Sequence, residues 1–143
     1  MTVFSGEHLH SLDDKGRVVI PSMYRDALAD GAFLTRGMDK CLWLFPEATW
    51  STISSRLRQM RTFSTKSRLR DRRLCSGART TIDAQRRLMI PPILREYAGL
   101  AEGQAVVIAG INNRLELWNR ERWERCIEAD SAALEEAMEE IDL

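Results

Sequence analysis

The sequence predicts an α+β protein with a mainly β core. Two tandem copies of one unit pack as an intramolecular pseudo-dimer, with helices at the periphery. Three observations lead there. First, the 143-residue chain repeats itself. Leu12-Asp13-Asp14-Lys15-Gly16-Arg17-Val18-Val19-Ile20-Pro21 matches Ile82-Asp83-Ala84-Gln85-Arg86-Arg87-Leu88-Met89-Ile90-Pro91 at an offset of 70. Arg25 then falls on Arg95, and Leu28 and Gly31 fall on Leu100 and Gly103 after a two-residue insertion. One more residue brings Gly37, Leu42, Leu44 and Trp50 onto Gly110, Leu115, Leu117 and Trp123. Second, short apolar and β-branched runs alternate with polar turns in both copies. Third, a unit of about forty residues buries too little surface to fold alone. The copies must share one core.

Each element follows in order. A short strand, around 8–12 in the first copy and 80–82 in the second, leads into a polar turn. A second strand covers 17–20 or 87–90. Pro21, and Pro91 with Pro92, then open a short helix, because a first-turn proline lacks only an N–H that has no partner there. Gly31 and Gly99 suit the left-handed helix end. Strands at 32–36 and 41–45, and at 105–109 and 114–118, follow, with turns at Asp39-Lys40 and Asn112-Asn113. A long helix closes each copy. Pro46 starts the first, with Trp50, Ile53, Leu57 and Met60 at helical spacing. Asn119 is the expected N-cap of the second, whose stripe is Trp123, Ile127, Leu134, Met138 and Ile141. These stripes lie outside the shared core and call for a partner, such as another subunit. The chain divides into a first repeat at 7–50, connecting helices with a basic run at 51–78, a second repeat at 79–123, and an acidic C-terminal helix at 124–143.

Composition narrows the function classes. Hydrophobic residues make up 44% and charged residues 29%, which is a globular profile. Lys plus Arg and Asp plus Glu are 21 each, so a histone-like polycation is excluded while a local basic face is not. The charge is segregated. Residues 56–73 hold eight basic groups and one acid, Asp71, whereas 121–142 hold nine acids and two arginines. Such asymmetry marks a nucleic-acid face and an acidic tail, or simply the solvated face of a helix. The longest apolar run, 105–111, is about seven residues, against about 20 for a membrane span. No membrane segment and no secretory signal are expected. Cys41, Cys75 and Cys126 form no Cys-x-x-Cys pair and read as buried reduced thiols of a cytosolic protein.

The sharpest chemistry lies in Asp13-Asp14-Lys15-Gly16-Arg17. An Asp bonds backbone amides within a turn, and Gly16 supplies positive φ. Asp13 and Arg17 flank the turn and face one another across a hairpin, so the carboxylate orients the guanidinium. Lys15 sits at the tip. Such a tip suits phosphate or guanine recognition. The residues alone leave a second reading open, a salt-bridged turn without a ligand. In the second copy the turn is Asp83-Ala84-Gln85-Arg86-Arg87. It lacks the glycine, which leaves its geometry and role open.

Other chemistry is weak. His8 and His10 alternate on one strand with no Cys near them in sequence, so no metal site is expected. There is no phosphate-cradling Gly-rich loop and no Gly-x-Ser-x-Gly elbow. Asp13 and Asp83 each neighbour an Arg that holds them ionised, which argues against general-acid work. Neither an enzyme, a cofactor nor a small-molecule substrate is expected.

The motifs together resemble the MraZ family of bacterial transcriptional regulators, related to the AbrB-type swapped-hairpin proteins. The matching residues are Asp13, Lys15, Gly16 and Arg17 with the segment ending at Pro21, then Tyr24-Arg25, Arg72-Arg73-Leu74 and Gly77-Ala78. Asp83, Arg87 and Ile90-Pro91 follow, then Leu94-Arg95, Tyr97-Ala98-Gly99-Leu100 and Leu115-Glu116-Leu117-Trp118. The resemblance implies two AbrB-like swapped-hairpin half-barrels, ring-like homo-oligomers and a cytoplasmic protein associated with the nucleoid. It implies binding to repeated short sites on double-stranded DNA upstream of the protein's own division and cell-wall operon, usually as a repressor. Lys15 and Arg17 inherit the DNA-contact role directly, and Arg87 with them. Asp13, Gly16 and Asp83 inherit the turn-fixing role. Arg86 replaces the family's usual glycine, so its DNA contact is an expectation of charge alone. A competing reading is an antitoxin-like or scaffold protein that offers its acidic C-terminal helix to a partner.

Overall fold

A computed structural model describes residues 3–60, 63–129 and 131–142. The first copy contributes β1 (Glu7–Ser11), β2 (Arg17–Val19), β3 (Ala32–Arg36), β4 (Leu42–Pro46) and helix α1 (Glu47–Gln59). Helix α2 (Thr65–Cys75) connects to β5 (Ala78–Thr80), β6 (Arg87–Met89), α3 (Pro92–Ala98), β7 (Ala105–Ile111), β8 (Arg114–Asn119), α4 (Arg120–Glu128) and α5 (Ser131–Glu139). Six strands form an antiparallel sheet in the order β1-β7-β8-β4-β3-β5, and β2 pairs with β6 as a separate ribbon.

The copies exchange strands. The first strand of each copy pairs with the third strand of the other, β1 on β7 and β5 on β3. A pseudo-two-fold axis runs through both sheets. In the ribbon it passes through the Val18–Leu88 pair, flanked by Arg17–Met89 and Val19–Arg87. In the large sheet it passes through Trp43–Glu116, flanked by Leu42–Leu117 and Leu44–Leu115. Pairing corrects one detail of the repeat. Arg36 lies opposite Leu42 as Gly110 lies opposite Leu115, so Arg36 rather than Gly37 is the counterpart of Gly110.

Strand alternation sorts the side chains onto two faces. Leu34, Leu42, Leu44, Ile108, Leu115 and Leu117 point to the face covered by the ribbon, where they meet buried Val18, Ile20, Leu88 and Ile90. The opposite, outer face carries the helices. Trp50 of α1 stacks on Phe33 at 3.9 Å between ring centroids, and Trp123 of α4 packs edge-on against Trp118. The tryptophan stripes thus find their cover largely within the chain. Of the stripe residues, Met60, Ile127, Leu134, Met138 and Ile141 remain exposed.

Two expected helices differ. Pro21 opens two 3₁₀ turns, Ser22–Tyr24 and Asp26–Leu28, instead of an α-helix. The first copy has two residues fewer here, and a 3₁₀ turn rises about 2.0 Å per residue against about 1.5 Å for α. Fewer residues therefore span the gap. In the second copy Pro92 lies at the start of α3, and Gly99 ends it at φ 65°. The closing helix of the second copy is not continuous. Asn119 caps α4, accepting from the Arg122 amide at 3.1 Å, but Ala129 is extended and α5 begins anew at Ser131. The cysteines also differ from expectation: Cys41 is buried, whereas Cys75 and Cys126 are exposed. No described helix is long and apolar enough to cross a membrane.

Leu88 sits on the axis with no exposed surface. Leu88→Ala is expected to cost about 2–5 kcal/mol in chemical unfolding. A cost near zero would show that the ribbon does not close the core.

Candidate nucleic-acid interface

Each polar turn is built by one carboxylate. Asp13 Oδ1 accepts from the amides of Lys15 at 2.9 Å and Arg17 at 2.8 Å, and Oδ2 accepts from Arg17 Nε at 2.8 Å. Backbone bonds from Asp13 N to Arg17 O and from Gly16 N to Asp13 O complete the hairpin. Asp83 repeats the set: Oδ1 accepts from Gln85 N at 2.9 Å and Arg87 N at 2.8 Å, and Oδ2 from Arg87 Nε at 2.8 Å. Arg86 occupies the left-handed conformation at φ 63°, beside 76° for Gly16. The missing glycine therefore leaves the turn geometry intact. Positive φ costs a non-glycine residue on the order of 1–3 kcal/mol, a strain the surrounding bonds must offset.

The ribbon holds the two turns apart. Ile90 N donates to Gly16 O and Ile20 N donates to Arg86 O, so one turn closes each end. Four steps of about 3.4 Å separate these ends, or about 14 Å. Val18 and Leu88 point into the core, so Arg17, Val19, Arg87 and Met89 face outward. In both arginines the carboxylate takes Nε. Among the described residues the terminal Nη1 and Nη2 groups of Arg17 and Arg87 are left without protein partners.

The electrostatics keep this arrangement charged. The Asp13 carboxyl is held below its ordinary range chiefly by the Arg17 amide, with help from the Arg17 side chain, the Lys15 amide and the Arg17 charge, against a desolvation cost. Asp83 is lowered by the same causes from Arg87 and Gln85. Both stay ionised at neutral pH, which suits a group that orients an arginine. Lys15 is exposed at its tip, and Gln85 stands in the equivalent place as a neutral group.

Sequence reasoning gave no site role to Arg95. Its guanidinium lies over Gly16, where an added Cβ would come within 2.5 Å of Nη1. Its counterpart Arg25 is exposed. The two turns are thus unequal: one has Lys15 with Arg95 over a glycine, the other Gln85 with Arg86 in the chain itself. The signal was the bare glycine, which leaves room that a neighbouring cation fills. His8 and His10 share the inward face of β1. Burial, then His8, then Arg86 push the His10 pKa down.

The basic run lies elsewhere. Thr35 on the outer face of β3 donates to the carbonyls of Arg73 and Leu74, and Leu74 packs with Phe33 and Phe45. Helix α2 therefore lies on the side of the sheet opposite the ribbon. Arg61 of the run falls outside the described residues.

A lowered carboxylate stabilises the fold above its unfolded pKa, and that contribution is lost as pH falls through the lower folded pKa. Carboxyl-carbon NMR titration of the intact protein is expected to give midpoints below 3.8 for Asp13 and Asp83. A midpoint at or above that value would show that the amide bonds are not held in solution.

A family model described as "MraZ protein, putative antitoxin-like" matches residues 3–73 and 75–143. The protein named Transcriptional regulator MraZ from Thermus thermophilus is 49% identical over 86% of this chain and 86% of its own. The protein of that name from Roseiflexus sp. is 42% identical over 91% of this chain and 90% of its own. That from Natranaerobius thermophilus is 37% identical over 97% and 96%.

Proposed function

The chain belongs to the MraZ family of transcriptional regulators, and we propose that it acts by reading repeated short sites on double-stranded DNA through its two Asp-x-x-x-Arg turns. One observation carries the reading: each turn arginine is gripped at Nε by a carboxylate, with both terminal nitrogens unpartnered among the described residues and on an outward face. That fork matches guanine O6 and N7, and a good bidentate pair discriminates by about 1–3 kcal/mol. Arg17 and Arg87 are the base-reading groups. Lys15, Arg86 and Arg95 supply phosphate contacts, which position without specifying. Asp13, Gly16 and Asp83 fix the turns. An exposed two-stranded ribbon about 14 Å long is comparable in size to a major groove about 12 Å wide.

A single chain offers few contacts. A homo-oligomer, such as a ring, displays several ribbons, and linked sites gain affinity by raising effective concentration. Repeated sites upstream of its own division and cell-wall operon fit such a display. A ring seated there blocks transcription, which makes repression in the cytoplasm, at the nucleoid, the expected action.

Fluorescence anisotropy on a duplex from upstream of the gene, against a shuffled duplex and across a salt series, tests the reading. The native duplex is expected to bind tighter, with a slope of about −0.9 per neutralised phosphate. Arg17→Ala is expected to abolish the preference while the assembly keeps its mass. Wild-type affinity in that variant would remove the turn as reading head. Equal weak binding to both duplexes would refute sequence-specific recognition.

A further inference from the structure

The outer face carries a feature that DNA reading leaves unused. A cavity of about 280 Å³ opens between α2 and the β3–β4 turn. Its wall is apolar, made by Met38, Trp43 and Leu69, with Met38 62% and Leu69 58% exposed. Arg36, Lys66 and Arg73 stand around it. Among the described residues none of these three cations is in an ion pair.

Helix α5 carries the complementary pattern. Every side chain of α5 is exposed. Leu134, Met138 and Ile141 recur at helical spacing and are 50%, 40% and 64% exposed. Glu135, Glu136, Glu139 and Glu140 accompany them. Among the described residues none of these acids meets a cation. An apolar stripe edged with acids matches an apolar groove edged with bases.

We propose that α5 of a second copy docks in the groove between α2 and the β3–β4 turn, placing Leu134 and Met138 in the cavity and its glutamates against Lys66 and Arg73. The two surfaces are different patches of one chain, so the contact is heterologous. Each copy gives a helix and receives one. Such contacts close into a ring when the rotation permits. The net charge of zero adds no global repulsion between copies. This deepens the assembly invoked above and rests on no DNA contact.

The test uses the full chain without DNA, with mass read by light scattering behind gel filtration and fold checked by circular dichroism. The wild type is expected as an oligomer. Leu134→Glu/Met138→Glu is expected to fall to the mass of one chain with an unchanged spectrum. Lys66→Glu/Arg73→Glu and Glu135→Lys/Glu139→Lys are each expected to do the same, because groove and helix then repel. Mixing the last two variants is expected to restore the oligomer at equal stoichiometry. A mixture that stays at single-chain mass overturns the proposal in favour of α5 docking on its own chain or binding a foreign partner. A monomeric wild type, or oligomers that survive the groove and helix variants, also overturn it. Loss of DNA affinity in Lys66→Glu/Arg73→Glu with oligomer mass kept would assign the groove to DNA. Failure of the turn reading would leave all these masses unchanged.

Discussion

The exchange of first strands between the two copies is the constraint on which the rest depends. Without β5, strand β3 has a free edge, and without β1, so has β7. Free edges expose unpaired amides and carbonyls, and each copy alone is too small to bury them. The exchange satisfies both edges and draws β2 and β6 together across the axis. The ribbon exists only because both copies contribute to it. The spacing of the two turns is therefore a property of the pseudo-dimer, set by a register that buries Val18 and Leu88. A slip of one residue would send those side chains outward and the arginines into the core.

Within that frame one carboxylate organises each turn. Two backbone amides and a guanidinium Nε converge on Asp13, and the same three donors converge on Asp83. Three bonds to a single ion outweigh the identity of the residue at the left-handed position. Arg86 consequently adopts a conformation that glycine takes freely. The symmetry is broken only in side chains. Arg95 crosses from the second copy to cover Gly16, whereas Arg86 carries its own charge and leaves Arg25 in solvent. Two similar hairpins thus present different cations at their tips.

Much of this was legible in the residues. The offset of 70 between the two Asp-x-x-x-Arg turns is a direct imprint of the repeat, and short apolar runs between polar turns, as at 32–36 and 114–118, mark the strands. The turn bonds were legible because Asp and Arg four residues apart in a hairpin have few other geometries. What stayed hidden depends on neighbours distant in sequence. Nothing local says that Arg95 lies over Gly16, or that α2 lies behind the sheet while the turns lie in front. The 3₁₀ turns after Pro21 hinge on a length difference that acts only once both copies are superposed on one axis. The break at Ala129 was hidden because the apolar spacing continues across it.

The separation of faces gives the charge pattern a physical meaning. A basic run is easily read as a DNA surface, yet here most of it sits on the helix side of the sheet, away from the turns. Arg17 and Arg87 are each paired with a carboxylate, and Asp14 adds an exposed acid beside Lys15, so each tip carries little net charge. Under the proposed function a single ribbon would then be a weak electrostatic ligand for DNA. Weak units that bind well only when several are linked make affinity depend on the number and spacing of sites. The larger opposite charges lie on α2, on the helix side of the sheet, and on the exposed α5, and the proposed docking would bring the two together between chains. Zero net charge is thus the sum of two segregated, opposite charges, one on the basic run and one on the acidic C-terminal segment.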